Sequence, residues 1–102
     1  MLAQDLLNLA LAVWKDRVEA AELERLRKAS TDLLVAEAEG RRIKMRGIIL
    51  DMSRLQTALR VFCKTYQKMS ARYGEIAAVD EYIRDMQKKI RELSDIKNHR
   101  KD

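Results

Sequence analysis

The chain has 102 residues, with 21 lysines and arginines against 16 aspartates and glutamates, a formal net charge of +5. That length accommodates one modest core and excludes two. With no proline, three glycines and 47% hydrophobic residues, it reads as ordered and helical, since disordered chains are poorer in apolar residues and β folds need more turn residues.

The first stretch, MLAQDLLNLALAVW, is apolar but interrupted by Gln4, Asp5 and Asn8. It falls short of the roughly 20 apolar residues that span a bilayer. It also lacks the basic n-region and small-residue cleavage site of a secretory signal. It is expected to be a core-facing helix in a cytoplasmic protein. Leu2, Leu6, Leu9 and Val13 form one apolar row, and Leu7, Leu11, Trp14 and Val18 the adjacent one. Leu23, Leu26, Leu33 and Leu34 extend the pattern more raggedly, so one helix is predicted over residues 2–39. Ser30, Thr31 and Asp32 are residue types favoured at N-caps, but no glycine or proline supports a break there. Trp14 has the chemistry of a partner anchor; in a helix this apolar it is read as core.

Residues 40–47, GRRIKMRG, set four basic residues between two glycines. Gly40 is placed to end the first helix, which predicts a basic turn over 40–47 and a second helix over 42–73. Arg41, Arg42, Lys44 and Arg46 would then stand at a helix N-terminus, where the dipole prefers acids. An external anion, or the acids of another chain, would relieve that mismatch.

The second half carries the clearest period. Ile48, Leu55, Phe62, Met69, Ile76, Ile83 and Ile90 recur every seven residues. Up to Tyr73 each has an apolar partner four residues on, namely Met52, Leu59, Tyr66 and Tyr73; from Ile76 the partner lies three on, at Val79, Met86 and Leu93. Alternating spacings of three and four mark helices packed side by side. The change of side falls at Gly74. Either Gly74 caps one helix and a third runs over 75–97, or the helix continues with a register shift.

The expected fold is therefore a single all-α domain over 1–102, with a frayed tail at 98–102. It would be a long-helix hairpin or three-helix bundle with heptad, coiled-coil packing. The predicted interaction seam comprises Ile48, Met52, Leu55, Leu59, Phe62, Tyr66, Met69, Tyr73, Ile76, Ile83, Met86 and Ile90. One chain of this size covers helices of such length poorly, so a homo-oligomer, or docking onto a larger assembly, is expected.

Charge is distributed unevenly. Residues 1–39 hold 5 basic and 8 acidic residues, residues 40–72 hold 9 and 1, and residues 73–102 hold 7 and 7. No acid occurs between Asp51 and Glu75. On a helical projection Arg46, Arg54, Arg60, Lys64, Lys68 and Arg72 lie opposite the apolar stripe. With Arg41, Arg42 and Lys44 they form a face that is either solvated and paired with Asp16, Glu19, Glu22 and Glu24, or offered to an acidic partner. For nucleic acid, the basic row suits phosphates, but the aromatics lie on the apolar face, away from bases. A membrane is the less favoured partner, because so regular a seam more often meets another helix.

Nothing in the chain makes a catalytic constellation. The only histidine, His99, sits among basic residues in NHRKD. Cys63 has Lys64 beside it, but it projects to the flank of the apolar stripe and reads as a structural thiol. Being alone, it forms no internal disulfide, which suits a reducing compartment. No catalytic residue, metal ligand or cofactor is assigned. The expected function is a small helical adaptor, chaperone or structural subunit acting through protein contacts at the seam. The alternative is a small basic nucleic-acid-binding protein using the 41–72 face.

Overall fold

A computed structural model of the chain describes residues 3–45 and 53–99, excluding the side chains of residues 3, 4, 16, 41–45 and 93–99. Four α-helices are present among them, and no strand: α1 (Ala3–Trp14), α2 (Ala20–Met45), α3 (Ser53–Tyr73) and α4 (Ala77–His99). The all-α class expected from the sequence holds, with four helices in place of a hairpin or three.

The first difference lies at residues 15–19, where the predicted single helix 2–39 breaks. A 3-10 turn spans Lys15–Arg17, and Lys15 takes a φ of 53°. The Arg17 guanidinium folds back to donate to the carbonyls of Trp14 (3.1 Å) and Val13 (3.3 Å), satisfying acceptors that the end of α1 leaves open. A cation there also suits the negative end of the helix dipole.

The second difference lies at Gly40. Helix α2 runs through it to Met45, so residues 40–45 are not a turn. One glycine inside a helix costs only about 1 kcal/mol relative to alanine, which a 26-residue helix absorbs. Arg41, Arg42 and Lys44 therefore belong to the last turns of α2, where the dipole favours cations, and not to a helix start that repels them. Arg46, Ile48 and Met52 lie outside the described residues.

Gly74 resolves as a break. It has a φ of +108°, and α4 begins three residues later. Its N–H still donates to the Ser70 carbonyl at 2.8 Å, completing the last turn of α3. The Ile76 carbonyl then accepts from Val79 (3.0 Å) and Asp80 (3.1 Å), opening α4.

One core joins all four helices. Helix α1 contributes Leu6, Ala10 and Trp14, a row lying between the two predicted rows, while Val13 is left exposed. Helix α2 contributes Leu26, Ala29, Leu33 and Ala36. Its two alanines are the small residues that let neighbouring helices approach closely. Helix α3 contributes Leu55, Leu59, Phe62, Tyr66 and Met69, the Gly74 turn contributes Ile76, and α4 contributes Val79, Tyr82, Met86 and Ile90. The molecule extends 52 × 19 × 19 Å.

An aromatic cluster ties the ends of α1 and α3 together. Trp14 is fully buried, stacks on Tyr66 at a centroid distance of 6.0 Å and tilts against Tyr73 at 5.8 Å. Phe62 stacks on Tyr66 at 6.4 Å. The Trp14 indole N–H donates to the Gly74 carbonyl at 2.9 Å. The Tyr66 hydroxyl accepts from the Ile76 N–H (2.7 Å) and donates to the Ile76 carbonyl (3.2 Å). Polar groups exposed by the turn are thus satisfied by the Trp14 indole and the Tyr66 hydroxyl, as burial requires.

Candidate functional site

The apolar stripe of α3 is spent inside the chain. Leu55, Leu59, Phe62, Tyr66 and Met69 are buried, as are Ile76 just before α4 and Met86 and Ile90 within it; Tyr73 and Ile83 are half-buried against the same core. Every described residue of the predicted seam is therefore already packed by its own chain.

What α3 turns outward is basic. Two of the predicted cations flank the α2 side and are paired. Arg54 meets Glu39 at 2.8 Å, and Arg72 meets Glu22 and Glu19, both at 3.2 Å. Arg72 also lies over the Tyr73 ring, 5.6 Å from its centroid. The Tyr73 hydroxyl donates to the Glu22 carboxylate. That bond holds the Glu22 carboxyl below its ordinary range and, with Glu22 as the largest cause, pushes the Tyr73 phenol up. Exposed pairs of this kind contribute about 0–1 kcal/mol each, so they orient α3 on α2 more than they hold it there.

Arg60, Lys64 and Lys68 are different. All three are exposed, and none forms an ion pair or hydrogen bond with a described residue. Spaced four residues apart, they climb α3 at roughly 6 Å intervals as one ridge. No acid interrupts the helix that carries them.

Helix α4 continues this surface. A groove of about 490 Å³ between α3 and α4 is lined by Gln56, Leu59, Arg60, Cys63, Gln87, Ile90 and Arg91. Leu59 and Ile90 are buried at its floor, Cys63 is half-buried, and Arg60 and Arg91 are exposed. With Gln87 and Arg91 facing the groove, a projection of α4 at about 100° per residue places Arg84 beside Arg91, and Lys88 farther round, among Glu81, Glu92 and Asp85. All six charged residues are exposed. The acid of α4 on the α3 side, Asp80, is half-buried near Tyr66 at the Gly74 turn, well down the helix from Gln87 and Arg91.

Sequence reasoning placed the α3 ridge but missed Arg91 at the groove. The balanced charge of residues 73–102 hid it. Cys63 sits on the flank of the stripe, as its projection implied, and burial raises its thiol pKa. No cluster of metal-ligating side chains occurs among the described residues, and no described helix is long and apolar enough to cross a membrane. No protein family, curated protein or solved structure matches the chain.

Proposed function

We propose that the protein is a non-enzymatic helical adaptor that binds an acidic protein partner through the outer faces of α3 and α4. The observation that carries this reading is the ridge of Arg60, Lys64 and Lys68, exposed, of one sign and unpaired among the described residues. Like charges at four-residue spacing repel by a few tenths of a kcal/mol per pair. No ion pair among the described residues offsets that cost, and an acidic partner would. The seam is a poorer candidate than the sequence made it, because its described residues would have to leave the core to meet anything else.

The acid-free run between Asp51 and Glu75 also supports a second reading, contact with nucleic-acid phosphates. One feature favours protein. Trp14, Phe62, Tyr66 and Tyr82 are buried, leaving no fully exposed aromatic among the described residues on which a base could stack.

The test compares capture by the wild-type chain and by Arg60→Gln/Lys64→Gln/Lys68→Gln, read by mass spectrometry after nuclease treatment. The adaptor reading expects acidic proteins that are retained by the wild type, released by added salt and lost with the triple variant. Identical capture by both chains would contradict it. So would material that disappears with nuclease.

A further inference from the structure

We propose that two copies of this chain exchange their α1 helices, opening the joint at residues 15–19 to form a domain-swapped dimer. The proposal is independent of the adaptor reading. It rests on the joint itself and on the seat that α1 occupies.

Among the described residues Lys15 is the one non-glycine with a positive φ, 53°. A left-handed residue that carries a Cβ is disfavoured by about tenfold in population. The joint KDRVE contains no glycine or proline, the residues that would fix a bend there. Lysine, arginine and glutamate are instead good helix formers. If the joint straightens, α1 and α2 become one helix over residues 3–45, about 65 Å long at 1.5 Å per residue. Lys15 then takes right-handed angles and its strain is gone. The carbonyls of Val13 and Trp14, capped by Arg17 in the closed chain, pair instead with backbone N–H groups of the joint.

Straightening carries α1 out of its seat, and the seat dictates what refills it. Helix α1 buries Leu6, Ala10 and Trp14. The Trp14 ring lies against Tyr66 and Tyr73, and its indole N–H donates to the Gly74 carbonyl at 2.9 Å. An empty seat leaves these rings and that carbonyl uncovered. The α1 of a second copy restores every one of those contacts, because its residues are the same.

Reciprocal exchange closes the assembly. Helix α1 folds back along α2 in the closed chain, so two copies related by a two-fold axis meet end to end at their joints. The dimer is about twice the 52 Å length of the monomer and carries two ridges of Arg60, Lys64 and Lys68. A short link holds α1 at its own seat with an effective concentration of the order of 1 mM. Strain at Lys15 lowers that threshold, and loss of the Arg17 caps raises it in part. The swapped dimer is therefore expected to appear between about 0.1 and 1 mM, with a monomer below.

The experiment refolds the full chain from urea at about 10 μM and about 1 mM, either side of that threshold, and reads size and shape by sedimentation. Spin labels on Asn8→Cys and Lys28→Cys, two exposed positions, in a Cys63→Ser background report the exchange. They are close when α1 folds back on α2, and about 30 Å apart when the two form one helix. In a swapped dimer the close pair belongs to different chains. Excess unlabelled chain added before refolding then abolishes the short-range coupling and leaves the long separation.

The expected result is an elongated dimer at the higher concentration that loses its short-range coupling on dilution. Arg17→Ala should raise the dimer fraction severalfold. Lys15→Gly should lower it about tenfold, since glycine accepts the positive φ and disfavours a continuous helix. These two variants carry no labels, so their result stands even if the labelled chain folds poorly. A dimer whose short-range coupling survives dilution is a side-by-side pair and overturns the exchange. A dimer fraction unchanged by Lys15→Gly overturns the joint as its origin. Monomer alone at the higher concentration, for the wild type and Arg17→Ala alike, overturns the proposal outright.

Discussion

Two residues set the geometry at the lower end of the molecule, Gly74 and Tyr73. At a φ of +108° Gly74 occupies a conformation that side chains rarely adopt, and a Cβ built there meets nothing within 4 Å. The cost of Gly74→Ala is thus backbone strain alone, about 1–2 kcal/mol. A urea midpoint lowered to that extent, with the slope unchanged, is expected. Tyr73 acts through Glu22. Its hydroxyl lowers that carboxyl from 4.5, and the same bond raises the phenol from 10. A depressed acid stabilises above its unfolded pKa and loses that contribution as pH falls; a raised phenol stabilises below its unfolded pKa and loses it as pH rises. Stability should accordingly decline below about pH 4.5 and again above about pH 10. Tyr73→Phe should flatten both limbs, as measured by urea unfolding across pH. None of this is written in one-dimensional spacing. The Trp14 indole meets the Gly74 carbonyl across 60 positions, and only the folded chain brings them together.

At the scale of elements, legibility followed the strength of the period. Helices α3 and α4 repeat apolar residues every seven positions, and the stripe read from that spacing is the stripe that is buried. Between Trp14 and Leu23 the apolar pattern thins to Val18 and small alanines. No glycine or proline marks the break at Lys15, so it passed as continuous helix. At Gly40 the error ran the other way: a glycine was read as a stop where flanking helix formers outweigh its cost. The described part of the seven-residue repeat packs against α1, α2 and α4 of the same chain. Leu59→Asp therefore has a different expected outcome from dissociation of an oligomer. It places an unpaired charge against a core residue's neighbours at a cost of several kcal/mol. Loss of the cooperative unfolding transition is expected, with the wild-type chain sedimenting as a monomer at tens of micromolar. A folded Leu59→Asp monomer derived from a wild-type dimer would show that the seam joins two chains.

On the scale of the whole molecule, α3 has one apolar and one basic face. Its inner face is consumed by a core running along a 52 Å body. Its outer ridge of Arg60, Lys64 and Lys68 is exposed and makes no ion pair or hydrogen bond with a described residue. Charge was legible in the sequence as a block from residue 40 to 72, but its division was not. Folding pairs Arg54 and Arg72 with α2, assigns Arg41, Arg42 and Lys44 to the end of α2, and leaves Arg60, Lys64 and Lys68 outward. The most direct measurement of that division is equilibrium urea unfolding of Arg60→Gln/Lys64→Gln/Lys68→Gln beside the wild type. If the ridge serves a partner and not the fold, the variant is as stable as the wild type or more stable by up to about 1 kcal/mol, since two like-charge pairs are relieved. A loss of about 1 kcal/mol or more, beyond the usual range for surface changes, would mean that these cations hold the fold together, and would contradict the account.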